Sequence, residues 1–115
     1  MRRGEIRLVN LDPVRGSEAN KVRPAVIISN DAANATAMRL RRGVVTVVPV
    51  TSNVDRVYPF QVLLPSAVTG LPRDSKAQAE QVRAVAVERI GTRCGALDAE
   101  RTQALDQALR VHLAL

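Results

Sequence analysis

Hydrophobic positions along the chain fall into short runs separated by polar turns, a pattern typical of β-strands. Two β-branched runs, 24–29 and 44–51, lack polar alternation, which is typical of strands buried on both faces. Residues 81–87 alternate polar and apolar side chains, as a half-exposed strand does. Pro49 interrupts the second buried run and predicts an edge position or a bulge, because proline cannot donate to a sheet. The predicted strands cover residues 6–11, 24–29, 44–51, 60–64 and 81–87.

Only the C-terminal segment has the 3.6-residue period of an amphipathic helix. Asp98 precedes it as a suitable N-cap, and Glu100 falls in its first turn. Residues 30–40 are rich in alanine and asparagine and predict a short helix or a turn. Several short strands followed by one helix predict a mainly β fold, a small barrel with the helix packed on it. The apolar face of that helix is predicted to consist of Ala104, Leu105, Ala108, Leu109 and Leu113.

Length and composition predict a single domain over residues 1–115. The chain is 46% hydrophobic and 24% charged, which is the composition of a globular protein. A chain of this length can bury only a small hydrophobic core, so additional apolar burial in a homodimer is expected. No apolar run approaches the length of a membrane span, and no apolar segment follows the basic N-terminus. The expected compartment is therefore the cytoplasm.

The charge of the chain is positive and comes from arginine. Seventeen Lys and Arg residues against eleven Asp and Glu give +6, and only Lys21 and Lys76 are lysines. A basic chain favours a polyanionic partner, and the planar arginine fork suits phosphate. A GC-rich genome explains the arginine bias equally well, but not the net charge. Tyr58 and Phe60 are the only aromatic residues, which excludes an extended base-stacking platform.

The inventory of catalytic side chains excludes several enzyme classes. The only histidine, His112, lies on the predicted C-terminal helix, where a packing or helix-end role is expected. The only cysteine, Cys94, is interpreted as a buried or turn cysteine, although Arg93 could lower its pKa. Metal-ligand spacings and phosphate-binding glycine loops are absent. Serine hydrolases, metalloenzymes and nucleotide hydrolases are therefore excluded, and neither a metal nor a cofactor is predicted.

Three side chains remain as candidates for chemistry, each with a structural alternative. Arg23 lies where a polar loop meets a buried strand and can hold a phosphoryl oxygen with two donors, or pair with Glu18 at the surface. Thr51 ends the strongest strand, where its hydroxyl can bond a charged oxygen or cap the strand end. Glu80 can accept a proton if it lies near Arg23, or is a solvent-facing strand carboxylate. The residues alone leave these alternatives open.

Six sequence blocks, in consistent order, resemble the MazF/PemK family of toxin endoribonucleases. One such block would be weak evidence, whereas six in register are strong, and the resemblance runs from Arg3 to the final helix. The blocks are Met1-Arg2-Arg3-Gly4-Glu5-Ile6 with Leu11-Asp12-Pro13, Gly16-Ser17-Glu18, Arg23-Pro24-Ala25-Val26-Ile27-Ile28-Ser29-Asn30, Val48-Pro49-Val50-Thr51-Ser52, Tyr58-Pro59-Phe60-Gln61-Val62 and Glu80-Gln81-Val82-Arg83.

The resemblance implies an SH3-like, plasmid-maintenance-toxin barrel with a C-terminal helix, assembled as a homodimer. It implies metal-independent cleavage of single-stranded RNA, often mRNA, at a short recognition sequence, which inhibits translation and growth. In such enzymes the ribose 2′-hydroxyl attacks the adjacent phosphate and leaves 2′,3′-cyclic phosphate and 5′-hydroxyl ends. By this resemblance Arg23 would contact the scissile phosphate and take part in proton transfer. Thr51 would bond the phosphoryl oxygen, and Glu80 would be the third catalytic residue.

Three positions depart from the pattern of some relatives in the family. Gln78 stands where some relatives have an arginine proposed as the acid, and these relatives have aspartate where this chain has Glu80. Ser17 stands where one branch of the family has a histidine. The general acid is therefore not identified, and Arg23 becomes the main candidate for proton transfer.

Two loops beside the site, Gly16–Val22 and Thr51–Tyr58, are expected to read unstacked RNA bases. The resemblance also implies a MazE-like antitoxin whose acidic C-terminal segment covers the RNA groove, which a chain of +6 suits. The predicted RNA-binding residues are Glu18, Asn20, Lys21, Ser52, Asn53, Arg56, Tyr58 and Gln81.

Two alternatives belong to other functional classes. A gyrase-poisoning toxin on the same barrel would cleave nothing and would not need Arg23 together with Thr51. A basic RNA-binding module that has lost activity would bind RNA with a strong salt dependence and leave it intact.

Overall fold

The computed structural model describes residues 1–115 and consists of one antiparallel sheet with three helices. The strands follow the order β4-β5-β3-β2-β1-β7, and β6 also pairs with β3. None of the helices combines the length and the hydrophobicity that a membrane span requires. The strands are β1 (Glu5–Asn10), β2 (Val22–Ile27), β3 (Val44–Thr51), β4 (Gln61–Leu64), β5 (Ser75–Gln78), β6 (Arg83–Ala86) and β7 (Ile90–Ala96), and the helices are α1 (Asp31–Leu40), α2 (Ser66–Thr69) and α3 (Ala99–Leu113).

Strand β3 lies inside the sheet and changes partners along one side. It pairs with β6 up to Val47 and with β5 from Val50 onward, while β2 lies along its other side. Pro49 falls in the gap between the two partners. The Thr46 N–H and C=O bond towards β2, so by alternation the Pro49 nitrogen faces that gap. The predicted edge position or bulge is therefore wrong: a central strand tolerates this proline because no partner needs its N–H.

The sheet separates two apolar clusters, which confirms burial on both faces for residues 25–27 and most of 45–50, whereas Val44 is 63% exposed. Along β2, Val26 belongs to the first apolar cluster, while Ala25 and Ile27 belong to the second. Along β3, Val48 and Val45 are divided in the same way. Each alternation places one side chain above the sheet and the next below it. Because both strands serve both clusters, they form the shared centre of the fold.

The two longer helices start where the sequence predicts. The Asn30 side chain accepts a hydrogen bond of 2.8 Å from the Ala33 N–H, and the Asp98 side chain accepts one of 2.9 Å from the Arg101 N–H. Helix α3 buries Leu105, Ala108 and Leu109 against the first cluster. Ala104 and Leu113 are exposed, contrary to the predicted apolar face. Leu113 lies in the last turn of the helix.

The sequence pattern misplaces three parts of the sheet. Residues 81–87 form only the four-residue strand β6, because 3₁₀ turns occupy 79–81 and 87–89. Strands β5 and β7 were not predicted. Their sequences contain Lys76, Gln78, Thr92 and Arg93, and neither has a long apolar run.

Candidate functional site

An open groove of about 330 Å³ lies where the start of β2, the end of β3 and the segment before β5 meet. Two of the three candidate catalytic residues, Arg23 and Thr51, line it together although they come from different strands. The charged residues of its lining are Lys21, Arg23 and Arg73, all cationic. The complete lining is Lys21, Val22, Arg23, Pro24, Val50, Thr51, Ser52, Leu71, Pro72, Arg73 and Ser75.

The Arg23 guanidinium is oriented by the loop that precedes it. Its Nε donates to the Asn20 carbonyl at 2.8 Å, and one Nη donates to the Asn20 side-chain oxygen at 3.0 Å. Arg23 forms no ion pair with Glu18, whose carboxylate instead accepts from the Arg15 N–H at 2.9 Å. The remaining N–H groups of the fork have no protein acceptor and are available to an anion.

Thr51 presents its hydroxyl at the end of β3. The oxygen accepts a hydrogen bond of 3.2 Å from the Asn53 N–H, so the strand-end cap considered from the sequence is present. A hydroxyl that accepts one bond still has its own proton to donate. Capping and binding of an anionic oxygen are therefore compatible roles for this side chain.

The first loop, residues 16–22, is fixed to the sheet by Gln81. The Gln81 side chain accepts from the Ala19 N–H at 3.0 Å and donates to the Ser17 carbonyl at 3.1 Å. At the other end of the loop, Lys21 has a left-handed backbone with φ of 64°, and its N–H donates to Asp12 at 2.9 Å. Gln81, predicted as an RNA contact, thus has both polar groups engaged with the loop backbone.

The second loop, residues 52–58, is fixed from below by Lys76, which is only 8% exposed. Its ammonium group donates to the Arg56 carbonyl at 2.6 Å. The Tyr58 N–H donates to the Gln61 side chain at 3.2 Å. The Tyr58 ring stacks on Phe60 with centroids 5.3 Å apart, and the Arg56 guanidinium lies 5.6 Å from the Tyr58 ring centroid.

Glu80 lies on the 3₁₀ turn after β5, and it does not line the groove with Arg23. One carboxylate oxygen accepts from the Gln61 amide at 2.7 Å, while the other is buried without a donor. Glu80 forms no hydrogen bond with Arg23, whose polar contacts are to Asn20, so a proton-accepting role beside Arg23 stays a prediction. Its position on a turn, half-buried, also differs from the solvent-facing strand carboxylate considered as the alternative.

Comparison with known proteins decides the family. The family described as PemK-like, MazF-like toxin of type II toxin-antitoxin system matches residues 2–113. The chain belongs to this toxin family. It is 63% identical to Endoribonuclease MazF9 of Mycobacterium tuberculosis, over 100% of this chain and 98% of that protein.

The fold comparisons agree with the family. MazF from Deinococcus radiodurans has a TM-score of 0.82 at 24% identity, covering 100% of this chain and 97% of that one. A mycobacterial endoribonuclease in complex with its cognate antitoxin has a TM-score of 0.76 at 22% identity, covering 100% and 96%. These likenesses confirm the mainly β fold with a C-terminal helix.

Two further side chains of this PemK/MazF-like toxin lie away from the groove. His112 is exposed in the last turn of α3, which confirms a helix-end position. Cys94 lies half-buried on β7 and packs against the first apolar cluster. Burial raises the pKa of the Cys94 thiol, and the nearby charge of Arg7 offsets this only in part. The arginine that acts on this thiol is thus Arg7 and not Arg93.

Sequence reasoning missed Arg73, Lys76 and Gln61 as parts of the site. Arg73 lies in a loop that carries no strand or helix pattern. Gln61 on β4 pairs with Gln78, and Lys76 on β5 pairs with Leu63. Each of these strands has only four residues, too few to show a pattern. Gln61 falls in the block Tyr58-Pro59-Phe60-Gln61-Val62, which was the one available signal for it.

Proposed function

We propose that this toxin is an endoribonuclease that cleaves single-stranded RNA, mRNA included, in the groove and acts in the cytoplasm. The observation that carries the proposal is that Arg23 and Thr51 line one cationic groove. The relative with 63% identity over the whole chain is itself an endoribonuclease. A groove with cations and no carboxylate in its lining attracts a polyanion.

In the proposed reaction the substrate supplies its own nucleophile. The ribose 2′-hydroxyl loses its proton and its oxygen bonds to the adjacent phosphorus. The bond from phosphorus to the 5′-oxygen breaks, and that oxygen takes up a proton. The products are a 2′,3′-cyclic phosphate and a 5′-hydroxyl, so the protein has to position the RNA, move protons and stabilise charge.

Arg23 is proposed to hold the scissile phosphate. Arginine stays charged over the physiological range, so its free N–H groups can stabilise the extra negative charge that builds up on the phosphoryl oxygens. Its two bonds to Asn20 fix the fork before RNA arrives. Thr51 is proposed to donate its hydroxyl proton to a phosphoryl oxygen. Removing one such donor typically lowers kcat by about 10²–10³-fold.

Base recognition is assigned to the two loops that flank the groove. Lys21 and Ser52 line it directly, and Asn53, Arg56 and Tyr58 are exposed on the second loop. The stacked pair of Tyr58 and Phe60 offers one aromatic face, enough for one base but not for a track of bases. Glu18, Asn20 and Gln81 are engaged in holding the first loop.

A protein partner is part of the proposal. One solved endoribonuclease of this fold forms a complex with its cognate antitoxin. We assign this chain a MazE-like antitoxin with an acidic segment, because the groove lining has only cationic charges. We also assign it a homodimeric state, because apolar side chains on β4 and α3 would gain burial in a dimer. In the single chain they are 45–49% exposed: Leu63, Val111 and Leu113.

The test is cleavage of a long single-stranded RNA in excess EDTA. Wild type is compared with Arg23→Ala and Thr51→Ala, and fragment 5′ ends are tested for direct labelling by a kinase. We expect discrete fragments with free 5′-hydroxyls from wild type and at least a hundredfold loss in both variants, about the effect of one lost donor.

Matched controls are Arg39→Ala and Thr36→Ala, which change exposed residues of α1 outside the groove. Both should cleave like wild type. Intact RNA with inhibited supercoiling by gyrase would instead favour the gyrase-poisoning toxin. Intact RNA that is bound with a strong salt dependence would favour the inactive binding module.

A further inference from the structure

The third wall of the groove, residues 71–75, is a fixed part of the fold. Leu71 is 4% exposed, and its N–H donates to the Thr69 hydroxyl at 3.3 Å. The Asp74 carboxylate accepts from the Ser66 N–H at 2.9 Å. The Ser75 hydroxyl donates to the Arg73 carbonyl at 3.0 Å. Arg73 therefore has a backbone held on both sides, although its side chain is exposed.

The Arg73 guanidinium has no carboxylate partner. The arginines at 3, 7 and 101 form ion pairs of 2.7–3.2 Å with Asp106, Glu5 and Asp98, whereas Arg73 forms none. Its neighbour Asp74 is engaged with Ser66. A charged fork that lines a groove and has no internal anion keeps its full capacity for an external one.

The groove holds more cationic charge than one phosphate requires. Arg23 and Thr51 provide donors for the phosphate that is cut, and Arg73 lines the same groove from a different segment. Successive phosphates of an RNA strand cannot share one binding point, so a second fork suits the next phosphate along the strand.

We propose that Arg73 binds an RNA phosphate adjacent to the scissile one and so fixes the register of the strand in the groove. This proposal rests on the proposed RNA-cleaving function. Arg73 is a substrate-binding residue that acts on affinity, while Arg23 and Thr51 act on the chemical step.

The first experiment measures binding of an RNA with 2′-deoxyribose at the cut position, which removes the nucleophile. Arg73→Ala should weaken binding about tenfold, as expected for a lost charge-assisted hydrogen bond. The slope of log Kd against log salt should fall by about 0.7, the value for one phosphate contact on a single strand. Arg39→Ala is the matched control and should leave the slope unchanged.

The second experiment replaces single phosphates of this RNA by neutral methylphosphonates, one position at a time. Next to the cut, one substitution should weaken binding to wild type about tenfold and have no effect on Arg73→Ala. Losses that are equal in both proteins at every position would overturn the proposal. So would a change in Arg73→Ala no larger than that in Arg39→Ala.

Cleavage kinetics separate this proposal from the proposed function. With cleavable RNA, Arg73→Ala should raise KM about tenfold and keep kcat within about twofold, because it removes binding but not chemistry. A fall in kcat alone would overturn the assignment of Arg73. If wild type cuts no RNA, the proposed function fails and the assignment of Arg73 fails with it, whereas cleavage by wild type with an unchanged KM in Arg73→Ala overturns the assignment of Arg73 alone.

Discussion

Glu80 carries one satisfied and one unsatisfied carboxylate oxygen. The first accepts from Gln61, whose own oxygen accepts from the Tyr58 N–H of the second loop. The second is buried without a donor, as is the side-chain oxygen of Gln78, which faces Gln61 across β4 and β5. A buried acceptor without a partner costs about 1–3 kcal/mol. We therefore expect Glu80 to hold Gln61 and the second loop, and substitution tests this role against the predicted catalytic one.

This role predicts a specific response to substitution. Glu80→Gln keeps an oxygen for the Gln61 amide, so kcat should stay within about threefold of wild type across the pH range measured. Glu80→Ala should lower the free energy of unfolding by about 1–3 kcal/mol, because Gln61 loses its partner. Denaturant unfolding and kcat between pH 4 and 9 measure both effects. A loss of kcat of about 10²-fold or more in Glu80→Gln, with stability unchanged, would make Glu80 an acid–base catalyst instead.

Arg23 and Thr51 show how far single residues can be assigned from sequence. Their positions at a loop–strand boundary and a strand end indicated binding of a charged oxygen, and the structure places both in one groove. The first loop shows the limit. Gln81 contacts Ser17 and Ala19, which lie far from it along the chain, and periodicity contains no information on such contacts.

Helix α2 positions the Arg73 wall of the groove by close backbone contact with β7. A Cβ placed on Gly95 would lie 2.5 Å from the Thr69 carbonyl oxygen at the end of α2. Leu71 lies two residues after Thr69 along the chain, and Arg73 lies four residues after it. A glycine on one strand thus sets where the last turn of α2, and the wall after it, can lie.

Gly95→Ala is therefore expected to act on RNA binding from a distance. The overlap should displace α2, raise KM for RNA severalfold and lower the free energy of unfolding by about 1–3 kcal/mol. Ile27→Val is the control, because it loses about 0.5–1.5 kcal/mol from the second apolar cluster without contacting the groove wall. KM and unfolding free energy are measured for both variants. An unchanged KM in Gly95→Ala would contradict the coupling between α2 and the groove.

The elements themselves were predictable where burial dominates their sequence. The runs 24–29 and 44–51 are rich in β-branched residues, and α3 has a helical period with a capping aspartate, so β2, β3 and the start of α3 lie within two residues of their predicted positions. Strand β5 has the sequence Ser75-Lys76-Ala77-Gln78, which contains one apolar residue. Its place in the sheet depends on pairing with β3 and β4, and tertiary pairing of this kind overrides local preference.

At the scale of the whole molecule, the net charge of +6 suits the two anionic partners proposed for the groove. RNA and an acidic antitoxin segment would both be drawn to a groove whose charged lining residues are Lys21, Arg23 and Arg73. Simultaneous occupancy would place two polyanions against these three cations. We therefore expect the two partners to exclude each other.

Exclusion is measured with purified antitoxin in a cleavage assay. Saturating antitoxin should abolish cleavage, and an uncleavable RNA should displace labelled antitoxin from the toxin. Polyglutamate of equal charge is the control for unspecific electrostatics, and it should inhibit only at low salt. Cleavage that continues at saturating antitoxin would show that the two sites are separate.

The two loop anchors have a consequence for how such toxins diversify. Gln81 and Lys76 form hydrogen bonds with carbonyl and amide groups of the loop backbone and with no loop side chain. Because every residue type supplies the same main-chain carbonyl, and all but proline the same amide, these anchors are indifferent to which side chains the loops carry. If the loops read RNA as proposed, mutations at the loop tips would change the RNA sequence that is read without removing these backbone anchors. Substitutions that alter RNA specificity would then leave the stability of the fold largely unchanged.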